Sequence, residues 1–272
     1  MTAQGAGEII VPGSRDEAIA AFGNGQDVTV LAGGTILMPE INYGRLKPSR
    51  TLLLRSAGLA GIRRNESTLT IGAMTRVAQL LETPEPLATA ASFVGDPEIR
   101  AQATIGGNLC ASANGEHPRG DLQAALIALG ARVHFADNDG ERTEPVEEFL
   151  RAGVDGRLVL EVEVDEPRSA AHAAVRRPHS HAYTILAVCA AETADGVRIA
   201  LTGAAPRGIR ARSVEHALTD GANAQEAAQK VLDDAEPVDD ALASAWYRRR
   251  MLPVLVQRAL DDLRNDRKGA TT

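Results

Sequence analysis

Two short stretches set paired glycines beside small hydroxyl or amide side chains: "LAGGTILMPE" at 31–40 and "ATIGGNLCAS" at 103–112. Glycine has no Cβ, so successive backbone N–H groups can turn toward one point and a ligand can come within hydrogen-bonding distance of the chain. Phosphate oxygens are the usual guests of such a nest. Thr35 is expected to cap a short helix starting at Ile36, which would add a helix N-terminus to the first loop. Thr104 and Asn108 carry side chains suited to the same guest. One isolated glycine pair after a strand is more simply a tight turn, but a second similar loop in the same chain points to a divided anion cradle. No GxGxxG follows a strand and no GK[ST] occurs, so a dinucleotide would be held by two separate loops rather than by one strand-to-helix turn.

Each loop needs an element to deliver it. "DVTVLAGG" (27–34) reads as a buried strand ending in the first glycine pair, and "SRDEAIAAF" (14–22) as a helix with a capping serine and Ala18, Ile19 and Phe22 at helical spacing. "TLLLRS" (51–56) and "STLTIGAM" (67–74) are expected to be strands, and "TRVAQLLET" (75–83) a helix. After the second pair, "GDLQAALIALGARVHFAD" (120–137) predicts a helix with Leu122, Ala125, Leu126 and Leu129 on one face, then Gly130 and a strand. "GRLVLEVEVDEP" (156–167) alternates as a half-buried strand should. The composition changes at "RSAAHAAVRRPHSH" (168–181). Beyond it lie two strand-like runs (182–191 and 196–203) and then helices only, at 213–219, 224–235 and 239–264. Pro253 should bend the last helix or start a new segment, and the tail at 266–272 is expected to be disordered.

The chain has 272 residues, 44% of them hydrophobic, enough for the core of one large domain or two moderate ones. Aromatic residues make up 3%, so the core must be built from Ala, Val, Leu and Ile, which makes Trp246 and Tyr183 worth attention. A net charge of -7 argues against a nucleic-acid binder. Cys110 and Cys189 lack CxxC spacing and a nearby histidine pair, so no zinc or iron–sulfur site is expected from this chain alone, and a reducing compartment is the default. The N-terminus has no basic or apolar leader pattern, and the longest apolar run, 182–191, is too short to cross a bilayer. A soluble, cytoplasmic protein is expected.

Taken together, "LAGGTILMPEINYG", "IRAQATIGGNLCAS" and "DLQAALIALGARV" closely resemble the FAD-binding (medium) subunit of the molybdenum hydroxylases, the xanthine dehydrogenase and carbon monoxide dehydrogenase family. The section from "RRPHSHAYTILAVCAA" through "GVRIALTGAAPRGIRARSVEHAL" to "WYRRRMLPVLVQRAL" looks like that family's C-terminal flavoprotein domain. The resemblance implies an α+β chain: a two-subdomain FAD-binding fold of the PCMH/vanillyl-alcohol-oxidase type over 1–57 and 58–168, followed by a small C-terminal domain, 169–265, with a three-stranded antiparallel sheet and a helical bundle.

In such proteins the FAD pyrophosphate lies between the two glycine loops. The resemblance therefore assigns Ala32, Gly33, Gly34, Thr35 and Ile36 to one wall, flanked by Leu31 and Leu37, and Ala103, Thr104, Gly106, Gly107 and Asn108 to the other. Asp121 stands where the family places an aspartate that accepts hydrogen bonds from cofactor hydroxyls, an ordinary N-cap for helix 122–130 being the alternative. The connection "LCASANGEHPRGD" departs from the family's short run of small residues and proline through Glu116, His117 and Arg119. Tyr183 matches a position at which relatives of the carbon monoxide dehydrogenase type set an aromatic against the flavin ring; the alternative is a core aromatic. Ala182 replaces the acidic residue often found just before it. Val94, Val159 and Leu160 would line the adenine or flavin pocket and Arg176 would reach the cofactor, although apolar strand positions are ordinarily plain core. His179 and His181 would fall near the flavin edge, although histidines in surface loops are more often uninvolved, and "YRRRM" (247–251) reads as a solvated helix face or an interface.

The function so implied is that of the FAD-carrying subunit of a heteromeric molybdenum hydroxylase, passing electrons from [2Fe–2S] clusters on a small subunit through FAD to an external acceptor. Molybdopterin would sit on a large subunit, the whole forming a dimer of heterotrimers. No residue of this chain is expected to be catalytic by itself or to bind a metal. One rival is a self-sufficient FAD-dependent oxidase, which needs a substrate domain for which no sequence is left over. The other is a scaffold subunit that has lost FAD, against which the two intact glycine pairs count.

Overall fold

The computed structural model describes residues 7–111, 120–177 and 184–269. Its N-terminal part alternates strands and helices: β1 (Glu8–Ile10), α1 (Arg15–Phe22), β2 (Thr29–Leu31), α2 (Leu37–Asn42) and β3 (Arg50–Leu53). The three strands pair in parallel in the order β1-β3-β2, an arrangement that needs crossovers, which α1 and α2 provide. Helix α1 starts as its sequence requires: Ser14 Oγ accepts from the Glu17 amide at 3.2 Å, and Asp16 and Glu17 occupy the first turn. Its Ala18 and Phe22 pack with Leu52, Ala136, Leu158 and Leu160, so this small sheet shares its core with the next one. The strand expected over 51–56 is shorter, because 54–56 wind into a 3-10 turn.

The second part contains β4 (Ile62–Asn65), β5 (Thr68–Gly72), α3 (Leu87–Ser92), α4 (Pro97–Arg100), α5 (Ile105–Cys110), α6 (Gln123–Ala128), β6 (Arg132–Asp137), β7 (Gly140–Pro145), α7 (Val146–Ala152) and β8 (Leu158–Asp165). Its five strands form an antiparallel sheet in the order β4-β5-β8-β6-β7. Strand β8 sits at the centre, its Val162 facing Ile71 on one side and Val133 on the other. The helix expected over 75–83 is a 3-10 helix over 77–82.

The third part comprises β9 (Ser169–Arg176), β10 (Thr184–Thr193), β11 (Gly196–Thr202), β12 (Ile209–Arg210), α8 (Arg212–Thr219), α9 (Ala224–Gln229), α10 (Val231–Asp234) and α11 (Ala245–Gly269). Its antiparallel sheet has the order β12-β11-β10-β9, four strands where three were expected, the extra one being the two-residue β12. Strand β10 divides two cores. Leu186, Val188 and Ala190 point toward the C-terminal helices, while Cys189 and Ala191 join the core of the five-stranded sheet. Helix α6 lies on that second side, and all six of its residues are buried. The single apolar face read from sequence is therefore incomplete: a helix covered on both sides is apolar all round. Helix α11 passes through Pro253 as one element and reaches Gly269, beyond the point at which disorder was expected. Among the described residues no helix is long and apolar enough to cross a membrane.

Candidate functional site

The two glycine loops, one following β2 and the other running from α4 into α5, meet. The first follows β2, and Gly34 takes φ +74°, a turn conformation that glycine adopts without steric cost. Gly33 lies flat against the second segment: a Cβ there would stand 2.9 Å from the carbonyl carbon of Gln102 and 3.0 Å from Cα of Ala103. On the other side of the junction, a Cβ on Gly107 would be 3.9 Å from the Ala32 methyl.

The second loop is fixed by backbone bonds. Val77 donates to the Ala103 carbonyl at 2.8 Å, Ile105 to Thr75 at 3.0 Å, and Gly106 to Ala73 at 2.9 Å. Thr104 caps α5, its Oγ1 accepting from the Gly107 amide at 3.2 Å. Gly106 is buried against Ala73 and faces away from the junction, whereas Gly107 is exposed.

The donors of the two loops differ in availability. The amides of Ile105, Gly106 and Gly107 all donate within the protein. Those of Gly33, Gly34, Thr35 and Ile36 have no acceptor among the described residues. Four consecutive amides open to a ligand, beside a wall so close that only glycine fits, suit the oxygens of a pyrophosphate. Thr35 does not cap the helix that follows: the N-cap position is Ile36, already in helical conformation and without a side-chain cap bond. Thr104 and Asn108 also differ from expectation. Both are buried, and the Asn108 Oδ1 accepts from the Leu122 amide at 2.9 Å. The Thr104 oxygen caps α5 itself and the Asn108 oxygen ties α5 to the start of α6, and together they position the loop.

Around this junction the remaining candidates separate. Leu31 and Leu37 flank the first loop at the end of β2 and the start of α2, each half-buried. Ala103, Val94 and Val159 are core residues of the second sheet, and Leu160 belongs to the core shared with the first. The Leu160 carbonyl accepts from the Ala73 amide at 2.9 Å, which ties β8 to the residue on which Gly106 rests. Asp121 is half-buried and is not the N-cap of α6, a position held by Leu122. Because the Leu122 amide bonds to Asn108, Asp121 is one residue from the second loop's partner. Tyr183, Ala182, His179 and His181, and the departures at Glu116, His117 and Arg119, lie outside the described residues.

Arg176 closes a cluster that sequence reading missed. Its guanidinium carbon stands 4.4 Å from the centroid of the Phe93 ring, and that ring meets His172 at 4.7 Å. Burial, and then the nearby positive charge of Arg176, push the His172 imidazole down to about 4. The signal was the spacing of 172 and 176, which places both on one face of a strand.

A second missed residue is Gln123, 1% exposed in an otherwise apolar helix. Its Nε2 donates to the carbonyls of Leu109 at 2.8 Å and Ala111 at 2.7 Å, while its Oε1 accepts from the Gly208 amide at 2.6 Å. A Cβ on Gly208 would come within 2.6 Å of the Gln123 Cβ. The C-terminal part thus reaches the end of α5 and, through it, the second glycine loop. Burial pushes the Cys110 thiol up to about 12 and raises Cys189 as well, which disfavours the thiolate at both.

Residues 4–165 match the family model of the FAD binding domain in molybdopterin dehydrogenase, and residues 169–263 that of the CO dehydrogenase flavoprotein C-terminal domain. The chain is 34% identical to the carbon monoxide dehydrogenase medium chain of Hydrogenophaga pseudoflava, over 93% of this chain and 96% of that one. It is 30% identical to the 6-hydroxypseudooxynicotine dehydrogenase complex subunit alpha of Paenarthrobacter nicotinovorans, over 93% of each. Among solved structures it is similar to a chain of the Hydrogenophaga pseudoflava carbon monoxide dehydrogenase lacking the Mo-pyranopterin moiety of its cofactor. That match has a TM-score of 0.82 and 29% identity, and covers 96% of this chain and 98% of the other.

Proposed function

The chain belongs to the family of FAD-binding medium subunits of molybdopterin dehydrogenases, which are oxidoreductases, and on that premise we propose that it holds FAD between [2Fe–2S] clusters of a small subunit and an external electron acceptor. The observation that carries this reading is the junction of the two glycine loops, with the amides of Gly33 to Ile36 open beside the exposed Gly107.

The first-loop amides hold the pyrophosphate, with Ala32 and Gly107 as facing walls and Leu31 and Leu37 beside them. Ala103, Thr104, Gly106 and Asn108 keep the second loop in place. Asp121 would accept from cofactor hydroxyls, Val94 and Arg176 would border the flavin with Val159 and Leu160 behind, and Tyr183, outside the described residues, is assigned to the flavin ring by the family resemblance alone. When bound, the flavin supplies reversible transfer of one or two electrons, and the protein supplies binding, orientation and exclusion of water.

The partners in this proposal are a large molybdopterin-binding chain and a small [2Fe–2S] chain, assembled as a dimer of heterotrimers in the cytoplasm. Within the chain, 1–57 and 58–168 form the FAD clamp and 169–265 the C-terminal domain. The substrate is set by the large subunit; the relatives' names, which span carbon monoxide and 6-hydroxypseudooxynicotine dehydrogenases, support leaving that choice outside this chain. The test is an absorbance spectrum of the purified protein, followed by acid release and identification of the flavin. Near-stoichiometric FAD is expected. A complex that carries no flavin, even after FAD is added, overturns the proposal.

A further inference from the structure

The start of α11 carries more positive charge than its surroundings neutralise. Asp239 Oδ1 accepts from the Ala245 amide at 2.5 Å, and Ser244 Oγ accepts from the Tyr247 amide at 3.2 Å, so the helix N-terminus is capped. Asp240 is taken by Arg248 at 2.7 Å in a buried pair. After these no acidic residue occurs between 241 and 260. Arg249, Arg250 and Arg258 are exposed and make no ion pair among the described residues.

Arg249 and Arg250 are the fifth and sixth residues of α11 and Arg258 the fourteenth, past the first turn in which the helix dipole acts, so none of the three is placed to support the helix itself. In a chain of net charge -7, three unpaired arginines along one helix therefore call for a reason beyond folding. The apolar residues supply it. Trp246, the chain's single tryptophan, is 69% exposed, and Val254 is 47% exposed. With Arg250 they stand at i, i+4 and i+8, which aligns them along one side of the helix. Exposed tryptophan flanked by arginine is the composition that dominates protein–protein hot spots.

We propose that the first turns of α11 dock an acidic surface of another subunit of the complex, with the Trp246 indole in an apolar slot and Arg249 and Arg250 against carboxylates. The inference rests on the reading of this chain as one subunit of a heteromeric dehydrogenase. Complementary charge of this kind steers association and fixes register.

The test uses the complex purified from its own host through a tag on this chain. A photo-crosslinking residue replacing Val254 should join to an Asp- and Glu-rich peptide of a different subunit. Arg249→Glu with Arg250→Glu should lower the partner retained by more than about tenfold while FAD per chain is unchanged, and Arg249→Lys with Arg250→Lys should retain it. Crosslinks only to a second copy of this chain, no crosslink at all, or a charge-reversed chain that keeps its partners would overturn the inference. A wild-type complex that crosslinks as expected but carries no FAD would sink the functional reading and leave this interface standing.

Discussion

Gly33, which follows β2, and Gln102, which links α4 to α5, are in direct backbone contact, so the two glycine loops are packed as one unit. A side chain at Gly33 would enter space held by protein, not by a cofactor, which changes what a substitution there reports. Gly33→Ala should separate the loops, costing about 2–3 kcal/mol through overpacking and abolishing FAD binding. Thermal melting and flavin content, measured together, should fall together.

Gly107 separates the two effects. A Cβ there meets the Thr104 Oγ1 at 3.1 Å and the Ala32 methyl at 3.9 Å, and otherwise points into the open junction. Gly107→Ala should leave the melting temperature of the apoprotein level or slightly higher, since alanine is the better helix former by about 1 kcal/mol. FAD affinity should drop by about tenfold or more, as expected for a lost interaction of about 1.4 kcal/mol. A fluorescence titration that finds unchanged affinity would remove Gly107 from the cradle wall.

Gln123→Leu should destabilise the protein by about 3 kcal/mol, because it leaves the Leu109 and Ala111 carbonyls and the Gly208 amide without their partner in the interior. For a chain of this size that corresponds to a fall of about 6–12 °C in Tm. Calorimetry checks it, and a shift of only a degree or two would mean that water replaces the amide.

His172 sets an acid limit. Its imidazole protonates near 4 in the folded state, below its ordinary 6.5, so the unfolded chain binds more protons between those values. The contribution is fully present above about pH 6.5 and is lost as the pH falls toward and through 4, on the order of 3 kcal/mol in all. Urea midpoints of His172→Phe, measured across that window, should show a shallower fall than those of the native chain.

What was legible in the sequence followed from short-range physics. Ser14, the alternation in β8 and the apolar run of β10 declare their elements locally, and the paired glycines declare close approach. The strands β4 and β7, "IRRN" and "GERTEP", are polar edge strands held by their hairpin partners, so no apolar period marks them. Strand β9 was hidden because its alanines look like a compositional change rather than a sheet. In the site, the position of the loops was readable, but the division of labour between them was not. Which amides are spent inside the protein depends on Ala73 and Thr75, and nothing local to the second loop announces those partners. Gln123 escaped for the same reason, since its partners come from α5 and from beyond β11.

The wall made by β10, with α6 enclosed behind it and Gln123 fitted to Gly208, bears on how such proteins can be recombined. A C-terminal module transplanted from a relative would have to bring a glycine where Gly208 stands and small residues where Cys189 and Ala191 meet α6. Without them the donor sheet would not close over the helix. Exchange between family members is therefore permitted only as matched pairs of surfaces, so the two modules should change together along any lineage that keeps both.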